Sequence, residues 1–563
     1  MTERPPAERG AWRARVAVLV AALVVNVPVL GAGPIYDDHA LVVGNSLTRA
    51  PIQWRTIFTT GYWSGTGIRA GNEYRPLTVL SFALADRLGV PGQRALNALL
   101  HGAVALLVGE LGALIVGAPA AAWVAGLAFA LHPVHADVLG TLVGRGELLA
   151  AALGLGAWWA HLVRRPRLAA AAVCAAFLAK ESAVVVPALV LLGDLCRGDG
   201  KLDTRRWLEL SLGLVLAIAI RVAVMGGVLA VESIAAVDNP LVALSTSGRV
   251  LSALASFAAA ARLALFPVGL LPDRSTLVPV IRSVADWRWV PGLLLLAGAL
   301  VAVVSAALGK RRARPWALAL GGFVLAYLPV SNLVFLVGTA LAERLLYVPS
   351  VAICLGLAWW MDRLPRTPRV AGCAALAVVL GVACVQAVWP YRSGLALWQR
   401  MVERAPTHAK ARLNLVGELT AAGRLDEAER VARAGIAAEP SRSELHRALA
   451  ETLAARGERA AAIAAAREAA RLAPHDLETL LALAGQLYDA GLDADAAKVY
   501  GALCDAFPGA GEPWWYLSRI AERAGDRREA LRAMRAAAAR YGSRSEWGAR
   551  AAAEAARLSG AAG

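Results

Sequence analysis

Apolar blocks of about 18 to 25 residues, the length a helix needs to cross a bilayer, recur along the chain. They run from Ala14 to about Trp389 and then stop. Of the 563 residues 58% are hydrophobic, against about 45–50% in soluble domains. The first part of the chain is therefore a polytopic membrane unit, and the remainder is water-soluble in character. Formal charge is +16, carried almost wholly by Arg, with Lys only at Lys180, Lys201, Lys310, Lys410 and Lys498. Arg-rich clusters facing anionic lipid headgroups account for that charge. No nucleic acid is expected as a partner, since no motif interleaves aromatic and basic residues. The six cysteines lie without CxxC spacing, five of them in apolar segments, and read as small core residues rather than disulfides or metal ligands. Arg13 and Arg15 precede a short apolar core with Gly31-Ala32-Gly33 behind it, as in a secretory signal. The many spans that follow favour an uncleaved first helix.

Basic residues in short loops mark the cytoplasmic side. Four clusters stand out, at 164–167, 197–206, 310–314 and 363–369. An inside N-terminus with helices near 14–33, 94–117, 119–133, 137–162, 168–180, 183–196 and 207–230 puts the first two inside. The third stays inside only if 250–271 is re-entrant or interfacial, and Arg262 and Phe266-Pro267 fit that reading. Spans near 289–309, 316–337, 343–362 and 369–389 then complete eleven crossings.

This arrangement collects the unusual polar residues on the opposite, extracytoplasmic face. They are Asp37-Asp38, Tyr74-Arg75, His132 to Asp137, Lys180-Glu181, Asp238-Asn239, Asp273 and Glu343-Arg344. Asp37 and Asp38 directly follow the first span. An acid at mid-membrane costs roughly 3 kcal/mol on insertion scales, so paired carboxylates at a membrane face are a candidate catalytic site. The plainer alternative is that they mark the start of a loop. His132 and His135 are three apart, which on a helix shares one face and leaves a divalent metal open, with Asp137 near but no clear third ligand. The alternative is hydrogen bonding that shapes the end of the third span. Arg145 and Glu147 fall two apart, on different helix sides, so each is expected to reach a neighbouring helix or a substrate.

Beyond the spans a 34-residue period appears. Pro406, Pro440, Pro474 and Pro508 repeat at that interval, in phase with Gly423, Gly457, Gly491 and Gly525. Leu415, Leu449, Leu483 and Leu517 mark another position, and Ala428, Ala462, Ala496 and Ala530 a fourth. This is the tetratricopeptide period. Proline separates helix pairs because it lacks an amide hydrogen; glycine makes the turn within each pair, and alanine lets the helices approach. The expected fold is all-α, a polytopic helical unit over 1–390 followed by an α-solenoid over 391–563, with a half-repeat at its start and a terminal cap. Such solenoids bind peptides or proteins on a concave face.

Together these features resemble the transmembrane and tetratricopeptide-repeat O-mannosyltransferases of the GT-C glycosyltransferase class. Tyr36-Asp37-Asp38 looks like the family's first-loop acidic motif, and Tyr74-Arg75-Pro76-Leu77-Thr78 like its RPL segment. His132-Pro133-Val134-His135-Ala136-Asp137-Val138 is similar to HPxHxEAV, with Asp137 in place of glutamate. Gly144 to Leu149 resembles GRxELL, and Lys180-Glu181 the family's KE. Segments 238–240, 265–275 and 331–350 follow in the family's order. The resemblance implies a polyprenyl-phosphate-linked sugar, commonly mannose, and transfer to hydroxyl side chains of proteins.

Such a transfer needs a base for the acceptor hydroxyl and positive charge for the departing phosphate. The resemblance places the base in the first outer loop, so Asp37 or Asp38 is assigned that role and the other supports it. Arg344 and Arg75 lead as phosphate ligands because guanidinium offers phosphate a planar donor fork. Lys180 is a third, and His132, His135, Asp137, Arg145, Glu181 and Glu343 complete the candidate donor site. No metal ligand is assigned. The GC-rich residue usage suggests a bacterial inner membrane, with the repeats extracytoplasmic. Alternatives are an O-antigen-type ligase or polymerase, a transporter, and a non-enzymatic membrane-anchored repeat scaffold. A ligase would place its key Arg and His in a large late outer loop, and a transporter would carry a buried relay through mid-membrane.

Overall fold

The computed structural model describes residues 6–68, 73–198, 203–227, 234, 238–542 and 546–560. Among them there are no strands, only one isolated antiparallel bridge between Asp273 and Ala342. The chain divides into two compact units, Met1–Leu397 and Trp398–Gly563.

In the first unit eight described helices are long and apolar enough to cross a bilayer, or nine if the bent pair Pro119–Ala130 and Pro133–Gly140 counts as one span. That count falls short of eleven for a local reason. Helix Arg145–Leu162 carries Arg145, Glu147 and His161, and the helices Pro166–Ala179 and Val186–Arg197 are short because the chain turns extended at Lys180. All three nevertheless run between the same two ends. Glu147 meets Lys180 at one end, and His161 Nε2 reaches Asp194 at 2.8 Å at the other.

The four basic clusters gather at this second end. Trp207 packs on His161, three residues before Arg164. Arg314 Nη1 donates to Arg197 O at 3.2 Å. Trp316 and Trp360 stack edge to face at 5.1 Å, and Arg369 pairs with Asp362 at 2.8 Å.

Helix Thr246–Leu265, the segment expected to be re-entrant or interfacial, is unbroken and long enough to cross. Its flanking segments pack against one loop. Gly322 lies against Ala352 and Gly356 against Ala319, so the segments on either side of loop 331–343 run antiparallel and that loop sits at one end. Just before the helix, Asn239 Nδ2 donates to Asn332 Oδ1 at 2.8 Å. Beyond its other end, Ser275 Oγ lies 2.8 Å from Thr339 Oγ1 and Asp273 bridges Ala342. The segments that flank the helix on both sides thus meet one loop. Ser252 and Ser256 of the helix are buried, each bonded within protein rather than turned to lipid.

Among the described residues the second unit holds most of helix Gly394–Arg404, then four helix pairs and a capping helix, Glu546–Gly560. Gly423, Gly457, Gly491 and Gly525 turn within each pair at φ of 71°, 88°, 76° and 79°, a left-handed conformation that costs glycine nothing. Ala428, Ala462, Ala496 and Ala530 are each 0% exposed, because a larger side chain would part the paired helices.

Candidate functional site

The chain leaves its first span through Tyr36, whose φ of 51° is uncommon for a residue with a side chain. This kink folds Asp38 back on the loop. Ile35 N–H donates to its Oδ2 at 3.1 Å and Val143 N–H to its Oδ1 at 3.0 Å. Arg94 lies 3.9 Å away, and the Asp38 side chain is 0% exposed. Burial pushes its carboxyl above the ordinary range, against the pull of the backbone donors and Arg94. Both oxygens are spent, so Asp38 ties the first loop to the 141–144 turn and offers no face to a substrate. Asp37 is half-buried instead, and its charge is felt by Arg344 and Tyr62.

The same turn is gripped from helix Gly89–Val116. Arg94 donates to Ala32 O at 2.8 Å and Gly140 O at 2.9 Å, and to Gly33 O. Asn97 Nδ2 reaches Thr141 O and Leu142 O, each at 3.2 Å. His101 Nε2 donates to Ala130 O at 3.1 Å, while its Nδ1 accepts from the Tyr347 hydroxyl at 2.8 Å. These three residues, spaced three and four apart, form a polar stripe on one helix face. The motif reading passed over them, although their period in an otherwise apolar span was the available signal.

Several expected substrate ligands are buried and hydrogen-bonded within the protein. Arg145 is 0% exposed and gives its donors to Asn97 Oδ1 at 2.7 Å, Gln93 O at 2.8 Å and Ser81 O at 3.3 Å. His132 is fully committed, Nε2 donating to Ala264 O at 3.0 Å and Nδ1 accepting Val134 N–H at 3.3 Å. It has no lone pair left to share with a metal. His135 is buried and bonds Ser350 Oγ at 2.9 Å. No three His, Cys, Asp or Glu side chains converge as metal ligands among the described residues. Glu343 is buried too, accepting from Leu271 N–H and, at 3.4 Å, from Arg274.

What remains is a set of cations with partly open faces. Arg344 is 44% exposed at its side chain and reaches Asp137 Oδ2 at a loose 3.4 Å. The charges of Asp273 and Asp37 also act on it. Lys180 pairs with Glu147 and feels Arg75 and Arg344. Glu181 accepts from Tyr74 N–H at 3.1 Å, Arg75 Nε at 2.9 Å and Arg221 Nη1 at 3.2 Å. Arg75 also lies over the Tyr62 ring at 4.9 Å. Asp37, Arg75, Asp137, Glu147, Lys180, Glu181 and Arg344 therefore come together from six separate stretches of chain, at the end away from the basic clusters. Arg221, Arg274 and Tyr62 join them without having been singled out in the sequence. A single Arg within an apolar helix, as at Arg221, was the only signal there.

The chain is 28% identical over 497 residues to "Protein O-mannosyl-transferase Tmtc3" of Drosophila melanogaster, covering 73% of this chain and 53% of that protein. It is 28% identical over 450 residues to "Protein O-mannosyl-transferase TMTC4" of Homo sapiens, covering 68% of this chain and 60% of the relative. A tetratricopeptide-repeat family model matches residues 391–452. The chain resembles the transmembrane and tetratricopeptide-repeat O-mannosyltransferases. It spans little more than half the length of these relatives. Among solved structures, the Thermus thermophilus tetratricopeptide-repeat protein TTC0263 aligns with 31% of this chain and 95% of its own, at 18% identity and a TM-score of 0.26. The apolar helices, the tetratricopeptide-repeat match and the likeness to the O-mannosyl-transferases together describe a multi-pass membrane protein with a repeat domain.

Proposed function

We propose that the chain is a membrane glycosyltransferase moving a sugar, mannose first, from a polyprenyl phosphate to hydroxyl groups of a protein acceptor. The observation that carries this reading is the half-buried Asp37 within electrostatic reach of the partly exposed Arg344, a base and a phosphate ligand in one cluster. In the reaction the acceptor oxygen bonds to the sugar's anomeric carbon as the bond from that carbon to the phosphate oxygen breaks. Asp37 takes the hydroxyl proton. Arg344, with Lys180 and Arg75 behind it, holds the departing phosphate, whose growing charge is what those donors stabilise. Displacement in one step inverts the anomeric centre. Asp38, Arg94, Asn97 and Arg145 hold the loops that place these groups.

The similarity to enzymes named as protein O-mannosyltransferases supports this reading, as does the separation of the site from the basic clusters. On the positive-inside rule that separation supports an extracytoplasmic site. Incubating membranes that carry the chain with radiolabelled undecaprenyl-phosphate-mannose tests it; label is expected to enter protein, and at least a hundredfold more slowly when Asp37 is replaced by Asn. Failure of label to enter any protein overturns the reading.

The repeats are assigned to acceptor capture. Deleting residues 406–563 is expected to lower transfer to a full-length protein acceptor at least tenfold while sparing transfer to a short peptide at high concentration. Equal loss on both acceptors would show that the repeats stabilise the membrane unit instead.

A further inference from the structure

Tyr391 reads in the sequence as the first residue of the repeat region, yet it is packed into the membrane unit at 2% exposure. Its ring occupies a notch that exists only because residue 140 is glycine; a Cβ there would lie 2.2 Å from the ring. The hydroxyl is aimed at the Asp137 carboxylate and close to Arg344, but is left without a well-aligned hydrogen bond. A buried hydroxyl in that state is costly, on the order of 1–3 kcal/mol, so a use for it elsewhere in the working cycle is to be sought.

The Arg344 contact supplies one. At 3.4 Å its hold on Asp137 is weak, and the guanidinium is partly exposed. When Arg344 turns to a phosphate, Asp137 is left as a buried carboxylate without its cation, which by itself would oppose the turn. Resting on the phosphate-binding role given to Arg344 above, the geometry points to Tyr391 as a positioning residue that takes over Asp137 by hydrogen bonding and so releases Arg344 to the phosphate. The segment leaving the last span is then part of the donor site.

Tyr391→Phe keeps the ring in its notch and removes only the hydroxyl. Titrating undecaprenyl phosphate into the full chain in nanodiscs, the variant is expected to bind about tenfold more weakly than wild type, with a melting temperature no lower than wild type's. Asp137→Asn abolishes the need for the exchange, so it should bind at least as tightly as wild type, and adding Tyr391→Phe to it should change affinity less than twofold. Unchanged affinity in Tyr391→Phe, or an equal loss in the Asp137→Asn background, overturns the inference, as does weaker binding by Asp137→Asn alone. So does a wild-type chain that binds no undecaprenyl phosphate. Should the binding shifts appear while wild type transfers no mannose, the glycosyltransferase reading fails and this one stands.

Discussion

Asp37→Asn is expected to lower sugar transfer by roughly 10²–10⁴-fold, the usual worth of a positioned general base, while leaving the protein folded and donor binding within a few-fold of wild type. The amide keeps the shape of the carboxylate but cannot accept the hydroxyl proton. Asp37 is half-buried, and the hydrogen bonds that Asp38 accepts from Ile35 and Val143 N–H remain in place when Asp37 is changed. Initial rates with a fixed protein acceptor, beside a titration with undecaprenyl phosphate, measure the two effects separately. A variant that keeps wild-type turnover removes Asp37 from the chemistry.

Asp38→Ala should fail differently. Its removal strands two backbone N–H groups and the buried Arg94 around an empty site. Taking one partner from a buried charged pair costs about 3–5 kcal/mol, so a large fall in melting temperature of the detergent-solubilised protein is expected. Asp38→Asn retains one acceptor oxygen and should be milder on stability. If Asp38→Ala melts as wild type does, the carboxylate is not the tie between the first loop and the 141–144 turn.

The contrast between these neighbours shows what periodicity and motif could and could not convey. Both acids stand in the same dipeptide after the same span, and nothing local separates them. Their roles part because Tyr36 adopts a positive φ and because a turn 105 residues away presents Val143 N–H to one of them. Arg145 and Arg344 likewise look equivalent as isolated cations in apolar surroundings. One is enclosed by Asn97 and two backbone carbonyls, the other remains partly exposed. Glu181 was legible as a site residue, but its binding of both Arg75 and Arg221 was not, since that depends on helix Thr204–Met225 packing beside it.

The linear order of residues by itself determined the membrane character, the end to which each basic cluster belongs, and the solenoid. Each of these follows from a short-range or strictly periodic property: the length of an apolar run against bilayer thickness, the cost of moving Arg across lipid, and a turn glycine every 34 residues. Only the tertiary structure decided which polar groups are enclosed by neighbours and which stay partly exposed. In a bundle where water is scarce, a polar side chain is free for chemistry only if no neighbour has claimed its donors and lone pairs, and those neighbours come from helices far apart in the chain.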